Sequence, residues 1–381
     1  MNVLLLHNSY REPGGEERSV EAIAALLRAR GHEVALLERS SAALSGATGN
    51  LRAGVAMVAG GLDPAAVGAA VRRHRAAVVH AHNVHPLLGA RALRAARREG
   101  ARTVLHLHNY RLVCAIAIQF RDGRTCTRCR GRNTRPGVRL RCRGSVAEAL
   151  AYGVGLALHQ RRLLEAADRV VVPSDFVRDR LRAVGVPVGR ARTLMNFVPA
   201  DELVPSPPDE APRHALVAGR LTREKGVDIA IAAAARAGVP LAIAGSGPGE
   251  PELRLHASRL GAPVTFLGRL DRSELAQVRR AAAFSVLPSR WDEPGPYAAI
   301  ESMAAGVPVL AAAVGGLPEI VDRDSLVESH DPGRWAEAMT RLWRDPAARR
   351  RLAETSLARA RERFGEDRFY SGLMDVYGGS G

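Results

Sequence analysis

Residues Leu287 to Gly306 read LPSRWDEPGPYAAIESMAAG. The apolar run Ala281–Leu287 predicts a buried strand. Pro288 closes it, Gly and Pro fill the loop that follows, and Tyr297–Ala305 is helix-forming. Glu293 falls in the loop and Glu301, eight residues on, in the second turn of the helix, so both carboxylates can border one crevice. Loops at the carboxyl ends of parallel strands are where open α/β sheets bind ligands. The amides of Gly295, Tyr297 and Ala298, close to a helix N-terminus, favour an anion there, while Pro296 carries no amide. A capped surface helix with two solvated carboxylates is the plainer alternative.

Outward from this stretch the same alternation repeats. Towards the N-terminus of the second half, strands are predicted at Ala215–Ala218, Leu241–Ala244 and Val264–Leu267, with helices at Val227–Ala237 and Glu252–Leu260. The first half opens with a strand at Asn2–Leu6, a loop holding Gly14 and Gly15, and a helix to about Arg30 with Val20, Ile23, Leu26 and Leu27 on one face. A strand at Glu33–Leu37 follows. Val78–His82 and Arg102–Leu107 are further strands with a helix at Pro86–Glu99 between them, followed by a helix at Val146–Ala166, a strand at Arg169–Val172, and Ser174 as an N-cap. Alternating strands and helices imply a parallel, doubly wound sheet in each half. The proline-rich stretch VPADELVPSPPDEAPR marks the boundary. The expected organisation is a Rossmann-like domain over 1–197 carrying a Cys/Arg-rich lobe at 111–145, a linker at 198–213, a second Rossmann-like domain over 214–365, and a last helix in 366–381 that crosses back to the first domain.

At 381 residues the chain exceeds what one core usually supports, and 46% hydrophobic residues mark it as globular. No apolar run reaches the roughly 18 to 20 residues of a membrane span, and MNVLLLHNSY lacks a basic leader region, so the expectation is a cytoplasmic protein. The net charge of +16 suggests an anionic partner, but 4% aromatic residues are too few for a base-stacking surface, which argues against nucleic acid. Of the 55 basic residues 54 are arginines, and the one lysine, Lys225, lies in GRLTREKG. A compact ammonium kept where every other cation is a planar fork points to a site the fork does not fit.

All four cysteines, Cys114, Cys126, Cys129 and Cys142, fall in the irregular lobe as C-x11-C-x2-C-x12-C. A structural zinc, unligated thiols and a disulfide or redox pair are all open on this pattern. Nine arginines between Arg121 and Arg143 face one acid there, a field expected to stabilise thiolates and to suit an acidic acceptor or an anionic membrane surface. His80, His82, His85, His106 and His108 are expected not to bind metal, because strand alternation should send neighbours to opposite faces and no acid accompanies them. Gly245-Ser-Gly247-Pro-Gly249-Glu250 misses the dinucleotide fingerprint at its last glycine, and Asp322-Arg-Asp324 reads as a solvated loop.

The pair Glu293-x7-Glu301, in order with GRLTREKG, AGSGPGE (244–250), FLGRL (266–270) and AVGGLPEIV (313–321), resembles the donor site of the retaining family 4 glycosyltransferases. NSYREPGGEERSV, VVHAHN and HLHNY extend the likeness into the first half. The resemblance implies a GT-B fold, with two facing Rossmann-like domains and an interdomain cleft, and transfer of a sugar from a nucleotide-diphosphate sugar without any required metal. It implies that Arg220 and Lys225 face the diphosphate, that Glu301 accepts from the ribose hydroxyls, and that Glu293 with the Gly295 to Tyr297 backbone, Pro296 included, holds the sugar ring. Gly14 and Gly15 would lie against the diphosphate, Gly245 and Leu267 would join the donor-binding set, and His108 would face the donor sugar. The acceptor, whether glycan, lipid-linked or natural-product aglycone, stays open, as do a sugar-nucleotide epimerase and a basic RNA- or membrane-binding protein.

Overall fold

The computed structural model describes residues 1–10, 14–44, 46–203 and 213–378. Most of the expected linker, 204–212, lies outside the described residues. The chain forms two units, one of Met1–Gln119, Cys126–Met195 and the residues from Phe369 onward, the other of Phe120–Thr125 and Asn196–Arg368.

The first unit opens with strands β1 (Asn2–Ser9), β2 (Glu33–Ser40), β3 (Val78–Ala81) and β4 (Arg102–His106); β1, β3 and β4 are buried runs because both faces of the sheet are covered there, while β2, at the edge, is partly exposed. Leu4, Leu5 and Leu6 are fully buried in succession, where a one-sided strand would alternate. A two-residue hairpin follows, β5 (Phe120–Arg121) with β6 (Arg124–Thr125), then β7 (Arg169–Val172) and β8 (Arg192–Thr193). The sheet runs β2-β1-β3-β4-β7-β8, every pairing parallel, so its strand order reverses between β1 and β3. The helix Gly15–Ala29 buries Val20, Ile23, Leu26 and Leu27, and the Ser174 hydroxyl accepts from Val177 N as the cap of the helix Asp175–Ala183. From the last helix, Glu366–Gly378, Tyr370 Oη lies 2.7 Å from His32 Nε2 and Tyr377 Oη 2.7 Å from His80 Nδ1.

The hairpin β5–β6 differs from the expected lobe, which placed all of 111–145 in the first domain. It belongs to the second unit, where the Thr125 hydroxyl donates to Asp292 Oδ2 at 3.2 Å. Two helices, Gly46–Ala59 and Pro64–His74, occupy a segment in which the sequence shows no clear apolar period. Among the described residues no single helix is long and apolar enough to cross a membrane.

The second unit holds β9 (His214–Ala218), β10 (Leu241–Ala244), β11 (Val264–Gly268), β12 (Ala282–Leu287), β13 (Val309–Ala312) and β14 (Leu326–Val327). The parallel order is β11-β10-β9-β12-β13-β14, which reverses between β9 and β12. One core, around Phe284, Ile229, Ile231, Ile243 and Trp335, packs the helices Val227–Ala237 and Pro332–Arg344 on one face of the sheet. In open α/β sheets the crevice at the strand carboxyl ends, where the order reverses, is where ligands bind.

Candidate functional site

The reversal point of the second unit lies between the loops after β9 and β12. Backbone bonds tie the loops on the β9 side together: Gly219 N donates to Ala244 O (3.0 Å), Leu221 N to Ser246 O (2.9 Å) and Gly245 N to Gly268 O (2.7 Å). Gly245 has φ +145°, and a Cβ there would stand 1.9 Å from Gly219 O, so no other residue fits. Gly226, at φ +65°, packs so closely on Pro288 that a Cβ would meet its carbonyl at 2.0 Å. That contact brings the end of GRLTREKG against the loop after β12. Arg290 N donates to Glu224 O at 2.8 Å, and the Arg290 guanidinium grips Asp228 through two bonds of 2.5 and 2.6 Å.

Between these loops sits a second ion pair. Lys225 Nζ donates to Glu293 Oε1 at 2.7 Å, the Ser289 hydroxyl donates to the same oxygen at 2.6 Å, and the ammonium stands 5.4 Å from the centre of the Trp291 ring. The Glu293 side chain is 3% exposed and that of Lys225 24%. AVGGLPEIV holds the Glu293 backbone: Gly316 N donates to the Glu293 carbonyl at 2.7 Å, and a Cβ on Gly315 would stand 2.3 Å from Glu293 N. Arg220 is exposed, and its guanidinium has no partner among the described residues.

Glu301 lies inside the helix Tyr297–Ala304, buried, and pairs with the equally buried Arg279 of the helix Arg272–Arg280. Its carboxylate is therefore held by a guanidinium that motif reading did not find. The signal was present, since Arg279 stands four residues after Leu275 and one after Val278, on the stripe that packs inward. Pro296 is the N-cap residue of the Glu301 helix, and Gly295 O accepts from Asn196 Nδ2 at 2.7 Å. Leu267, on β11, is half-buried. Asp322 is not merely solvated, since Arg359 Nη1 donates to it at 3.2 Å.

In the first unit the histidines correct the sequence expectation. Residues two apart on a strand share a face, and β3 and β4 pair His80 with Val104, so His80, His82, His106 and His108 all fall on one side. Their rings stack: His80 on His82 at 4.4 Å, His106 on His108 at 4.3 Å, and His80 on His106 at 5.4 Å with 5° between planes. Burial pushes His80 down to about 3, and it depresses His82, His106 and His108 well below the usual imidazole range. Nitrogens of His80, His82 and His106 come within 4.8 Å of one another, the one such ligand group among the described residues. A metal lies in the ring plane along the nitrogen lone pair. Two of these nitrogens are already engaged with each other, His80 Nε2 lying 3.3 Å from His106 Nδ1. His108 closes the stack, its Nε2 2.9 Å from His82 Nδ1.

Gly14 caps the helix Gly15–Ala29, and residues 11–13 of its loop lie outside the described residues. Gly14 N and Tyr10 N both donate to the Glu17 carboxylate at 2.8 Å. Burial alone would raise Glu17, but these bonds and His7 hold it below the usual carboxylate range. Beside it, burial pushes the Glu16 carboxyl up to about 7, where Tyr10 Oη donates to it at 2.9 Å.

The four cysteines are free thiols, each half-buried. At Cys114 and Cys129 the expected arginine field does not prevail. Burial raises Cys114, and it pushes Cys129 up to about 11 with the other three thiols adding to the shift.

Comparison with known proteins bears on both units. The profile described as Glycosyltransferase Family 4 matches residues 13–202, and that described as Glycosyl transferases group 1 matches 201–359. A D-inositol 3-phosphate glycosyltransferase 1 from Catenulispora acidiphila is 32% identical over 79% of this chain and 71% of its own length. A D-inositol 3-phosphate glycosyltransferase from Streptomyces bingchenggensis is 35% identical over 61% of this chain, and the chain spans only 57% of that relative's length. Among solved structures, Anabaena HepE in complex with UDP-glucose superposes over 99% of both chains with a TM-score of 0.67 at 19% identity.

Proposed function

The chain belongs to glycosyltransferase family 4, with the GT-B fold of two Rossmann-like units, and on that premise we propose that it moves a sugar from a nucleoside-diphosphate donor to an acceptor, with retention at the anomeric carbon and without a divalent cation. The observation that carries the reading is the Lys225–Glu293 pair at the reversal point between β9 and β12. As the sugar leaves, negative charge develops on the diphosphate and needs fixed cations aimed at it. Lys225 is such a cation, held by a buried carboxylate, and the exposed Arg220 guanidinium is a second.

In this reading Lys225 bridges Glu293 and a phosphate oxygen, since an ammonium has three donors and one is committed here. Glu293, with the Gly295 to Tyr297 backbone, accepts from sugar hydroxyls. Glu301 accepts from the ribose diol while Arg279 fixes its orientation, and His108, neutral, faces the sugar as a hydrogen-bonding group. The relatives' names point to a phosphate-bearing polyol as the first acceptor to try. Cys114, Cys126, Cys129 and Cys142 would be the ligands of a structural zinc, although no three of their sulfurs lie within 4.8 Å of one another. Stoichiometric zinc by elemental analysis supports that assignment, and its absence removes it.

The test is a panel of nucleotide sugars and polyol phosphates in the presence of chelator. The product's anomeric coupling constant, read by NMR, reports stereochemistry. Transfer with retention supports the reading; inversion, or activity only with added Mg²⁺, contradicts it.

A further inference from the structure

The first unit contains a cavity of about 990 Å³ that donor binding in the second unit does not use. One end lies at the strand-order reversal of that sheet: Tyr10 follows β1, His85 follows β3 and Arg111 follows β4. From there the cavity runs between the helices Gly46–Ala59 and Val146–Glu165, lined by Leu44, Leu51, Val55, Val58, Ala151 and Tyr152. Its volume is that of a pocket for a sizeable organic molecule, and apolar side chains dominate its walls.

Two further observations define the occupant. The apolar lining continues onto the surface, where Leu51 is 70% exposed, Val55 52% and Leu150 51%, and a soluble surface rarely gathers large aliphatic residues without a use for them. The polar residues, by contrast, bring two guanidiniums to the cavity. Arg111 stacks over the Tyr10 ring at 5.6 Å with the Glu16 carboxyl as its acidic neighbour, and its buried Nε has no hydrogen-bond partner among the described residues. Arg143 stacks over Tyr152 at 4.2 Å and is balanced by one carboxylate, Glu148, at 3.6 Å. His85 cannot add a charge, because burial, with Arg111 beside it, pushes it down to about 3.

We propose that this cavity binds the acceptor, and that the acceptor is an amphipathic anion: a phosphate-bearing headgroup on Arg111 and Arg143, with an aliphatic chain lying between the two helices and emerging past Leu51 and Leu150. A bidentate guanidinium suits phosphate, and burying each methylene adds to affinity in proportion to the apolar area covered. The inference rests on the glycosyltransferase reading for the word acceptor, but not for the binding itself. A free polyol phosphate would engage the arginines and leave the apolar walls unused.

The experiment measures binding of monomeric dodecyl phosphate by calorimetry, against inorganic phosphate and neutral dodecyl maltoside, on the full chain. Dodecyl phosphate should bind at least about tenfold tighter than either control. Ala151→Phe, which fills the cavity, should abolish that advantage and leave inorganic phosphate affinity unchanged. The exposed Leu51→Ser, which places no demand on folding, should weaken dodecyl phosphate alone, and Arg111→Gln should weaken both phosphates. Equal affinity for dodecyl phosphate and inorganic phosphate overturns the proposal. So does binding to anionic phosphatidylglycerol vesicles without binding of the monomer, which would make the apolar rim a membrane-adsorbing surface. UDP binding, run in parallel, separates the two claims, since its loss would sink the donor reading and leave the cavity result standing.

Discussion

Replacing Lys225 by methionine removes the one ammonium beside Glu293 while keeping a chain of similar length. At 2.7 Å and an effective dielectric of about 20, the attraction between the charges is about 6 kcal/mol before desolvation is subtracted. Glu293 is nearly inaccessible to water, so after the substitution its charge keeps, among the described residues, only the Ser289 hydroxyl as a side-chain donor. Breaking a buried pair by removing one partner costs roughly 3–5 kcal/mol, and the part-exposure of Lys225 places this case at the lower end, about 3 kcal/mol. Glu293→Gln leaves a neutral acceptor for Ser289 and should cost about 1 kcal/mol. The double variant should then be less destabilised than the sum of the singles by about 2 kcal/mol. Urea unfolding of the four proteins yields this coupling. A coupling near zero, with Lys225→Met as stable as the unaltered chain, would refute the pair and the site built on it.

Three further outcomes follow from the same geometry. Glu301→Ala should leave Arg279 buried without its carboxylate and lower stability by roughly 3 kcal/mol, so the thermal midpoint should fall by about 6–12 °C before any donor effect is read; an unchanged midpoint would mean the pair is not formed. The stacked histidines carry folded-state pKa values below their unfolded value, so their contribution is full above about pH 6.5 and is lost as pH falls towards the folded values; each adds a slope of up to about 1.4 kcal/mol per pH unit, which urea midpoints between pH 7 and 4 would reveal, and His82→Gln should flatten the profile. Glu16 runs the other way, since its folded pKa of about 7 exceeds its unfolded one: ionisation between about pH 4.5 and 7 weakens the fold, and Glu16→Gln should be relatively more stable at pH 8 than at pH 5 by the same measurement.

The doubly wound pattern of both halves was legible because buried parallel strands are continuous apolar runs and their helices are amphipathic. Ser174 and the strand Arg169–Val172 fall where the sequence puts them. The glycine-rich motifs were legible as loops, but their reasons are tertiary: Gly245 makes room for Gly219, Gly226 for Pro288, and Gly315 for Glu293. The side-chain pairings were not legible. Lys225 and Glu293 lie 68 positions apart, and the inward-packing stripe that marks Arg279 as buried does not name Glu301 as its partner. The histidine stack was readable and was misjudged, since a spacing of two on adjacent strands gathers side chains on one face. The helix Gly46–Ala59 escaped because its glycines and alanines blur the 3.6-residue period, and the cavity along it follows only from its packing on the helix Val146–Glu165.

The central claim is that Lys225 faces the diphosphate of a bound nucleotide. Because the chain has a single lysine, an amine-directed reagent has only that side chain and the Met1 amine to modify, and peptide mapping separates the two. The rate at Lys225 should fall when UDP, GDP or ADP occupies the site, with Met1 as the indifferent internal control. If Lys225 is modified equally fast with and without each nucleotide at a concentration that calorimetry shows to be saturating, the lysine does not face the diphosphate and the donor site lies elsewhere.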